Sequence, residues 1–417
     1  MSSADPPRRI EESRPEPVRT RFGGWAVVGV VAFALFMDYL IYGVIIPLTP
    51  YSPAIGSEGQ LGLLYGGYSA GVLAATPLFG YLGDRIGCRW PMILGVLLSA
   101  LTVVLFALAG SFYLLLLGRV LQGAAASATW TAGLALIAMH YPHKRVEMIG
   151  FALMGSTAGS LLGPVIGGAL YAAGGYVLPF AVTGVLVAVD AGLRISLLPR
   201  DRSAAEASPG LLALLLDRSV LVAAAAVVLA AIGWGIVEPL LPARLGQLGA
   251  SPAAVGLVFT VGAIAYGLSA PLVSRASDRL PIRRIIIGGT LAMAVALPLL
   301  SLFRSASGAA AGMCLVSLCY AFMLNPTSAE LGNAVDRRGL SCYAAVYAVY
   351  NIAYAVGQMA ASAFASAASS RLSFFHAMLI VGIALAIFAP LLALNGPSLP
   401  GVSSPLPVPR ADRGTMP

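Results

Sequence analysis

The sequence predicts an all-α integral membrane protein, with about twelve transmembrane helices in two pseudo-symmetric six-helix bundles. Composition, an internal duplication and an alternation of loop charge support this fold class. The 417 residues are 59% hydrophobic and only 10% charged, with a mean hydropathy of +0.87. A soluble core could not hide so much apolar surface, and apolar runs of roughly 20 residues recur about twelve times. The lipid bilayer is therefore the expected environment.

An internal duplication appears in two unrelated pairs of short motifs. Asp84 and Asp278 each precede an arginine and are separated by 194 positions (278 − 84), and Pro47 and Pro239 each open a Pro-x-x-Pro segment and are separated by 192 (239 − 47). Two nearly equal offsets indicate one duplication. Repeated halves in a many-helix membrane protein are typical of secondary transporters.

The duplication sets the expected domain organisation. We expect residues 23–199 and 218–395 to form the two bundles, joined by a cytoplasmic linker over 200–217. Residues 1–22 and 396–417 are rich in Pro with Arg, Glu or Ser and poor in apolar residues. Such composition predicts disordered tails.

Loop charges set the expected orientation. Basic residues occupy the segment before the first helix and every second loop, whereas the alternate loops carry only Arg244, Arg304 and Arg371. The positive-inside rule then places both termini in the cytoplasm. Short loops without a usable glycosylation acceptor favour a multi-pass protein of a cell inner membrane. The net charge of +8 is explained by these loops, so we expect no nucleic-acid partner.

Catalytic and metal-binding chemistry lacks a sequence signal. The four cysteines have no metal-ligand or disulfide spacing, and His140, His143 and His376 do not cluster. No Walker loop indicates ATP binding. We therefore expect no enzyme activity, no cofactor and no metal.

A charged, glycine-rich stretch follows the second apolar run. Its glycines predict a loop that passes close beneath neighbouring helices, and its charges could lock one conformation; a merely solvated charged turn is the alternative. The pattern resembles the loop between helices two and three of the major facilitator superfamily. The resemblance implies gating roles for Gly80, Gly83, Asp84, Arg85, Gly87 and Arg89, and for the weaker copy at Asp278 and Arg279.

Arg119 lies inside the fourth apolar run, where a permanent cation is costly unless it is paired or hydrated. Hydrogen bonds to neighbouring carbonyls are the structural alternative to a functional role. Its Arg-x-x-Gln-Gly setting resembles that of drug-proton antiporters in the same superfamily. The resemblance implies a part for Arg119 in proton coupling.

Glycines repeat every fourth residue in the fifth apolar run and predict a smooth face for close helix packing. The segment also resembles the antiporter motif of the superfamily, which implies export. Close packing alone would explain the pattern equally well. The residues concerned are Gly159, Gly163, Pro164, Gly167 and Gly168.

Two carboxylates, Asp38 and Glu238, fall deep inside apolar runs. Each requires a proton, a countercharge or a cationic ligand in such a place. Asp38 precedes Tyr42 by four residues and Glu238 follows Trp234 by four, so each acid is expected to share a helix face with an aromatic ring. An acid beside an aromatic face suits an organic cation. We predict both acids to bind substrate and to couple protons.

Aromatic residues predict the wall of a binding cavity. Spacings of four, three and four in the eleventh run form one stripe with Asn351 and Gln358 on its flank, and further polar or aromatic residues lie in other runs. Packing is the usual alternative, but tyrosine hydroxyls facing lipid would lack partners. The predicted wall comprises Tyr68, Trp130, Asn325, Tyr343, Tyr347, Tyr350, Asn351 and Tyr354.

The stretches around Asp38, Glu238 and the tyrosine stripe resemble the vesicular monoamine transporter branch of the superfamily. The resemblance implies that Asp38 engages the substrate amine and that Glu238 is a second cavity acid. Three polar positions of that branch differ here, where Tyr68, an apolar residue near Ala321, and Asn351 stand. Substrate identity and proton stoichiometry are therefore left open.

The working hypothesis is a monomeric, proton-coupled antiporter that exports lipophilic, cationic or aromatic small molecules. Uptake of a neutral metabolite by proton symport and a non-transporting membrane sensor are the alternatives. Asp190, four residues before Arg194, and Glu330, close to the segment Asp336-Arg337-Arg338, are interpreted as members of local ion pairs.

Overall fold

The computed structural model describes residues 24–52, 54–141, 144–199, 218–336 and 343–393. This part of the chain is almost entirely helical and contains no strand. The predicted tails and linker lie outside it. The all-α class is confirmed.

Fifteen α-helices are present in the described residues. Their bounds are α1 Gly24–Ile45, α2 Glu58–Ile86, α3 Arg89–Ala107, α4 Phe112–Ala128, α5 Leu134–His140, α6 Arg145–Gly174, α7 Val177–Leu197, α8 Arg218–Gly235, α9 Val237–Gln247, α10 Pro252–Leu268, α11 Ala270–Arg279, α12 Ile282–Leu300, α13 Ala306–Asp336, α14 Tyr343–Ala368 and α15 Phe374–Phe388. A π-helical turn, Thr129–Gly133, joins α4 to α5. Short 3-10 segments are Thr49–Tyr51 and Ala389–Ala393.

Ten helical spans among the described residues are long and apolar enough to cross a membrane. Three of them join neighbouring helices: α4 with α5, α8 with α9, and α10 with α11. The long helices α2 and α14 are not among the ten, and they bring the number of long helical units to twelve. Both helices line the interface between the halves instead of facing lipid on all sides. Their glycine, tyrosine, serine and glutamine residues lower their mean hydropathy.

The two halves, α1–α7 and α8–α15, pack on each other mainly through α2 on α14 and α6 on α10. Close approaches of backbone lie at one end of the molecule. A Cβ on Gly62 would collide with Ser362 and Ser366, and one on Gly168 would lie 2.7 Å from the carbonyl oxygen of Pro252. We call this end, where α2 and α10 begin, the closed end.

The other end carries the charged motifs and is called the basic end. A Cβ built on Gly80, Gly83 or Gly267 would meet no atom within 4 Å. The predicted loop is in fact helix, because α2 continues to Ile86. Of the three glycines in this motif, Gly87, with φ of 82°, is the one that adopts a positive-φ backbone, which ends the helix and favours glycine. Contrary to the prediction, Gly80 and Gly83 do not pack closely against a neighbouring helix in this structure.

The glycine face of α6 packs directly on α1. A Cβ on Gly155 would collide with the carbonyl of Ala32, and one on Gly159 with that of Phe36. Further along α6, Gly163 and Gly167 approach the α1 backbone in the same way. The predicted smooth face of α6 therefore packs on α1 of its own half and, at the closed end, on α10 of the other half.

Candidate functional site

A cavity of about 360 Å³ lies between the two halves near the middle of the helices. Its volume is within the range of small-molecule sites. Tyrosine and tryptophan side chains dominate its wall. Eight residues predicted from the sequence line it: Tyr42, Tyr68, Trp130, Trp234, Glu238, Tyr350, Asn351 and Tyr354.

Other predicted residues are placed elsewhere. Asn325 does not line the cavity, although its amide oxygen accepts a hydrogen bond at 2.5 Å from Tyr266, which does. Asp38 and Arg119 are buried behind the cavity wall. The side chains of Tyr343 and Tyr347 lie outside the described residues.

Sequence reasoning missed several wall residues. Tyr39, Tyr266 and Tyr320 line the cavity, and Tyr320 stacks on Trp234 with ring centroids 5.0 Å apart. Tyr266 and Tyr320 stand singly in apolar runs, so no stripe marks them, whereas the spacing of three residues between Tyr39 and Tyr42 was an available signal. Gln358, by contrast, is expected from the sequence on the flank of the tyrosine stripe, and it lines the cavity.

Glu238 is the carboxylate that faces the cavity. The chain breaks helical continuity between α8 and α9 just before it, and Glu238 lies in the first turn of α9. Its Oε2 accepts hydrogen bonds from Tyr42 at 2.6 Å and from Gln358, and its Oε1 accepts one from the indole of Trp234 at 2.9 Å. Only 3% of Glu238 is exposed. Because Tyr42 belongs to the first half, this carboxylate joins the two halves.

Arg119 lies behind Tyr42 and is completely buried. Its guanidinium stacks 5.1 Å from the ring centroid of Tyr42 and 4.8 Å from that of Tyr65, and it donates to Gln122 at 2.9 Å. Its Nε and Nη2 have no hydrogen-bond partner in the described part of the chain. The Tyr42 side chain thus contacts a cation with its ring and an anion with its hydroxyl.

Asp38 faces away from the cavity. It lies in the interior of the first half, where the charges of Arg194 and Asp190 and the hydroxyl of Thr129 act on it electrostatically. A spacing of four residues rotates a side chain by about 40° around a helix axis. That rotation, together with packing on α7, directs Asp38 away from the cavity that Tyr42 lines. Contrary to the prediction, the two side chains therefore do not share a face.

The ion pair expected between Asp190 and Arg194 is confirmed, with a separation of 2.6 Å. It is not a surface pair: 1% of Asp190 and none of Arg194 is exposed. This burial was not foreseen, because the sequence spacing of an ion pair is the same at the surface and in the core.

At the basic end, Arg89 donates hydrogen bonds to the carbonyl groups of Ile195, at 2.7 Å, and of Leu198. It therefore caps the end of α7 and contacts carbonyl oxygens that carry the negative end of the helix dipole. Arg85 stacks on Tyr81 at 5.2 Å. The side chain of Asp84 lies outside the described residues, and Asp278 and Arg279 are exposed at the same end.

A second depression of about 870 Å³ lies at the closed end, between the first turn of α2 and the loops of the second half. Arg244 and Arg304 are among its lining residues, and no residue of the predicted site lines it. It is separate from the acids and aromatic rings described above.

The sequence profile of the Major Facilitator Superfamily matches residues 28–224 and 223–412, which is most of the chain. The chain is 29% identical over 337 residues to the human chromaffin granule amine transporter, with 80% of this chain and 64% of that protein covered. It is 29% identical over 344 residues to the mouse synaptic vesicular amine transporter, with 80% and 65% covered. The chain thus spans somewhat less than two thirds of the length of these relatives.

A zebrafish probable vesicular acetylcholine transporter-B is 28% identical over 393 residues, with 88% of this chain and 78% of that protein covered. Among solved structures, a bacterial homolog of the human lysosomal transporter Spinster, in an inward-facing and unoccupied conformation, superimposes with a TM-score of 0.68 at 18% identity. The superposition covers 89% of this chain and 94% of that one, and it supports the fold alone.

Proposed function

Since the chain belongs to the major facilitator superfamily, a family of membrane transporters and not of enzymes, we propose that it is a proton-coupled antiporter that exports lipophilic organic cations. The observation that carries this proposal is Glu238, a buried carboxylate on the wall of an aromatic cavity between the halves. A bound cation would meet a negative charge and several aromatic faces, which are the groups that recognise ammonium ligands.

The proposal assigns Glu238 the contact with the substrate's positive charge in this conformation. Tyr42, Trp234 and Gln358 donate hydrogen bonds to it now, and a substrate amine would compete with them for the same oxygen atoms. Names of the amine transporters that resemble this chain agree with an amine substrate. Stacking surfaces at Tyr68, Tyr320 and Trp130 favour an aromatic or lipophilic body.

Alternating access belongs to the same proposal. Contacts between the halves lie at the closed end, as at Gly62 and Gly168, and Gly80 and Gly83 of the basic end have open space beside them. We infer that the cavity opens toward the basic end in this state and that rocking of the halves would bring Gly80 and Gly83 against the second half. The charge alternation supports a cytoplasmic position for that end, and the proposal includes the inner membrane of a cell as the location of the protein.

The test uses proteoliposomes with an imposed pH gradient. Internal pH is followed while a panel of aromatic amines and cationic dyes is added to the wild type, Glu238→Gln and Glu147→Gln. Glu147 is an exposed carboxylate on α6 and serves as the matched control. We expect cation-triggered proton movement in the wild type and in Glu147→Gln, and its loss in Glu238→Gln.

Other outcomes separate the alternatives. Unchanged proton movement in Glu238→Gln would contradict the assigned role of this acid. Silence toward every cation, with a response to neutral metabolites, would indicate proton symport. Silence toward all solutes by a folded protein would favour the sensor hypothesis.

A further inference from the structure

Behind the cavity wall, the first half buries four polar side chains that we call the aspartate–arginine cluster: Asp38, Thr129, Asp190 and Arg194. Their exposed fractions are 6%, 0%, 1% and 0%. They come from three elements, α1, the π-helical turn and α7. All of the elements belong to one half of the molecule, so the cluster does not depend on contact with the other half.

Arg194 organises the cluster. It donates to Asp190 Oδ2 at 2.6 Å, to the hydroxyl of Thr129 at 3.1 Å and to the carbonyl of Met92 at 3.0 Å. The Thr129 hydroxyl also acts electrostatically on Asp38. Asp38 Oδ2 and Asp190 Oδ1 have no hydrogen-bond partner in the described part of the chain. The guanidinium of Arg194 thus pairs directly with Asp190 and acts only electrostatically on Asp38, and each carboxylate keeps an oxygen without a partner in the described residues.

The charges of the cluster do not balance. Two ionised aspartates and one arginine leave a net charge of −1 in a region where unpaired charge is strongly disfavoured. Neither Asp38 nor Asp190 lines the cavity or the outer depression. A hydrated metal ion would need such space, whereas a proton needs none.

The second buried cation of the half is already engaged elsewhere. Arg119 acts electrostatically on Glu238 through the intervening Tyr42, whereas Arg194 is the cation that acts on Asp38. The two arginines and three carboxylates of this described interior therefore separate into a balanced group at the cavity and a group of net −1 at the cluster.

Among the residues that the structure describes, the charged groups of the neighbouring elements are engaged elsewhere or exposed. Arg89, on α3, donates to backbone carbonyls at the end of α7. On α6, Glu147 is exposed at the basic end, and His140 of α5 contacts the carbonyl of Leu136. Tyr39 of α1 is a neutral phenol on the cavity wall.

We propose that Asp38 and Asp190 share one bound proton, in a proton-binding site separate from Glu238. The aspartate–arginine cluster is neutral with this proton and carries −1 without it. Arrival of a cation at Glu238 and departure of the proton from the cluster would then leave the total charge of the membrane interior unchanged. This last step rests on the proposed function; the proton site itself does not.

Two pairs of consecutive residues connect the cluster to the cavity. Asp38 and Thr129 belong to the cluster, and the residues that follow them, Tyr39 and Trp130, line the cavity with ring centroids 6.2 Å apart. The π-helical turn produces this division at Thr129 and Trp130, and such turns often occur at functional sites. A change of charge at the cluster would therefore act on the residues next in sequence, whose rings form part of the cavity wall.

The decisive measurement is infrared spectroscopy of the purified Glu238→Gln protein without any substrate, over a pH titration. We expect the C=O stretching band of one buried carboxylic acid per chain near neutral pH, and a shift of this band when the protein is made with ¹³C-carboxyl aspartate. No cluster residue is substituted in this arm, so misfolding of a variant cannot explain a failure. A missing band, or one insensitive to aspartate labelling, would overturn the proposal.

Substitutions then locate the proton. In the Glu238→Gln background, Asp38→Asn and Asp190→Asn should each remove the band, because the remaining aspartate is balanced by Arg194. Asp278→Asn, at an exposed aspartate, should leave it unchanged. Persistence of the band in both cluster variants would overturn the assignment.

Transport gives an independent second arm, with tetraphenylphosphonium as the probe. In Asp190→Asn, exchange of the probe at equal pH should continue, and accumulation driven by a pH gradient should be lost. Accumulation at the wild-type level would contradict coupling through the cluster. Failure of the wild type to move any cation would contradict the proposed function while leaving the infrared result intact.

Discussion

The cavity acid and the aspartate–arginine cluster bury carboxylates to a similar degree, 3% exposed at Glu238 against 6% and 1% at Asp38 and Asp190, but with different partners. Glu238 accepts its hydrogen bonds from neutral donors of both halves. The two aspartates depend on a single arginine within one half. The first arrangement is sensitive to movement of the halves, and the second is sensitive to charge.

This difference suggests a division of work. The bond from Tyr42 to Glu238 crosses between the halves, so rocking must break or replace it. Contacts of the cluster would survive a rigid-body movement because α1, the π-helical turn and α7 move together. A proton held there could be carried through the conformational change, whereas a substrate held at Glu238 would experience the change directly.

The largest expected effect tests the charge balance of the cavity. Arg119→Gln removes the cation that compensates Glu238, so Glu238 should take up a proton and lose its attraction for organic cations. Breaking a buried charge pair costs about 3–5 kcal/mol. We expect cation transport in proteoliposomes to fall by about 100-fold or more, since 1.4 kcal/mol corresponds to a factor of ten.

Two variants control this prediction. Arg119→Lys keeps the charge and loses the stacking geometry, so it should restore part of the transport. Arg371→Gln, at an exposed arginine of the closed end, should transport at the wild-type rate. Wild-type transport by Arg119→Gln would contradict the prediction that the charge of Arg119 compensates that of Glu238.

A smaller effect is expected when only the link between the halves is removed. Tyr42→Phe deletes the hydroxyl that donates to Glu238 at 2.6 Å and keeps the ring under Arg119. A hydrogen bond to a charged group contributes about 1.5–3 kcal/mol, so the present conformation should lose roughly tenfold in relative population. Distances between spin labels at Ile86→Cys and Leu280→Cys, two exposed positions of the basic end, would report the shift in a cysteine-free background.

The control is Tyr68→Phe. Tyr68 contacts the Tyr42 ring at 4.8 Å and lines the same cavity, and none of the described hydrogen bonds joins it to Glu238. Its spin-label distances should match those of the parent protein. An equal shift in both variants would mean that ring environment, and not the bond between the halves, sets the conformational balance.

The sequence predicts the helices and the cavity more completely than the direction of each buried acid. Hydropathy and the duplication predict the helices because lipid requires long apolar runs regardless of their partners. Trp234 and Glu238 are brought together by their spacing on one chain segment, as the hydrogen bond between them shows. For these features, local physics is sufficient.

Asp38 and Asp190 show where local reasoning stops. Asp38 could equally face the cavity or the interior, because a four-residue spacing leaves about 40° of rotation undecided and packing on α7 decides it. Asp190 and Arg194 form the expected pair, yet nothing in their spacing reveals that a second acid from α1 shares the arginine. The π-helical turn that positions Thr129 also has no sequence signal that we detected.

The smallest expected effect concerns Thr129, a positioning residue of the cluster. Its hydroxyl accepts a hydrogen bond from Arg194 and acts electrostatically on Asp38, so we expect it to favour the ionised form of the cluster. Thr129→Val keeps the shape and removes the hydroxyl, with a loss of about 1 kcal/mol of hydrogen bonding. The shared proton should then be held about fivefold more tightly, and the infrared band of the carboxylic acid should persist to higher pH by less than one unit.

Thr129→Ser retains the hydroxyl and should keep the wild-type titration, which separates hydrogen bonding from packing. A band that titrates identically in Thr129→Val and Thr129→Ser would show that the hydroxyl does not contact the proton site. A lower titration midpoint in Thr129→Val would show that the loss to Arg194 outweighs the loss to Asp38. In that case the cluster would be controlled mainly by its arginine, and the contrast with the neutral hydrogen-bond donors around Glu238 would become stronger still.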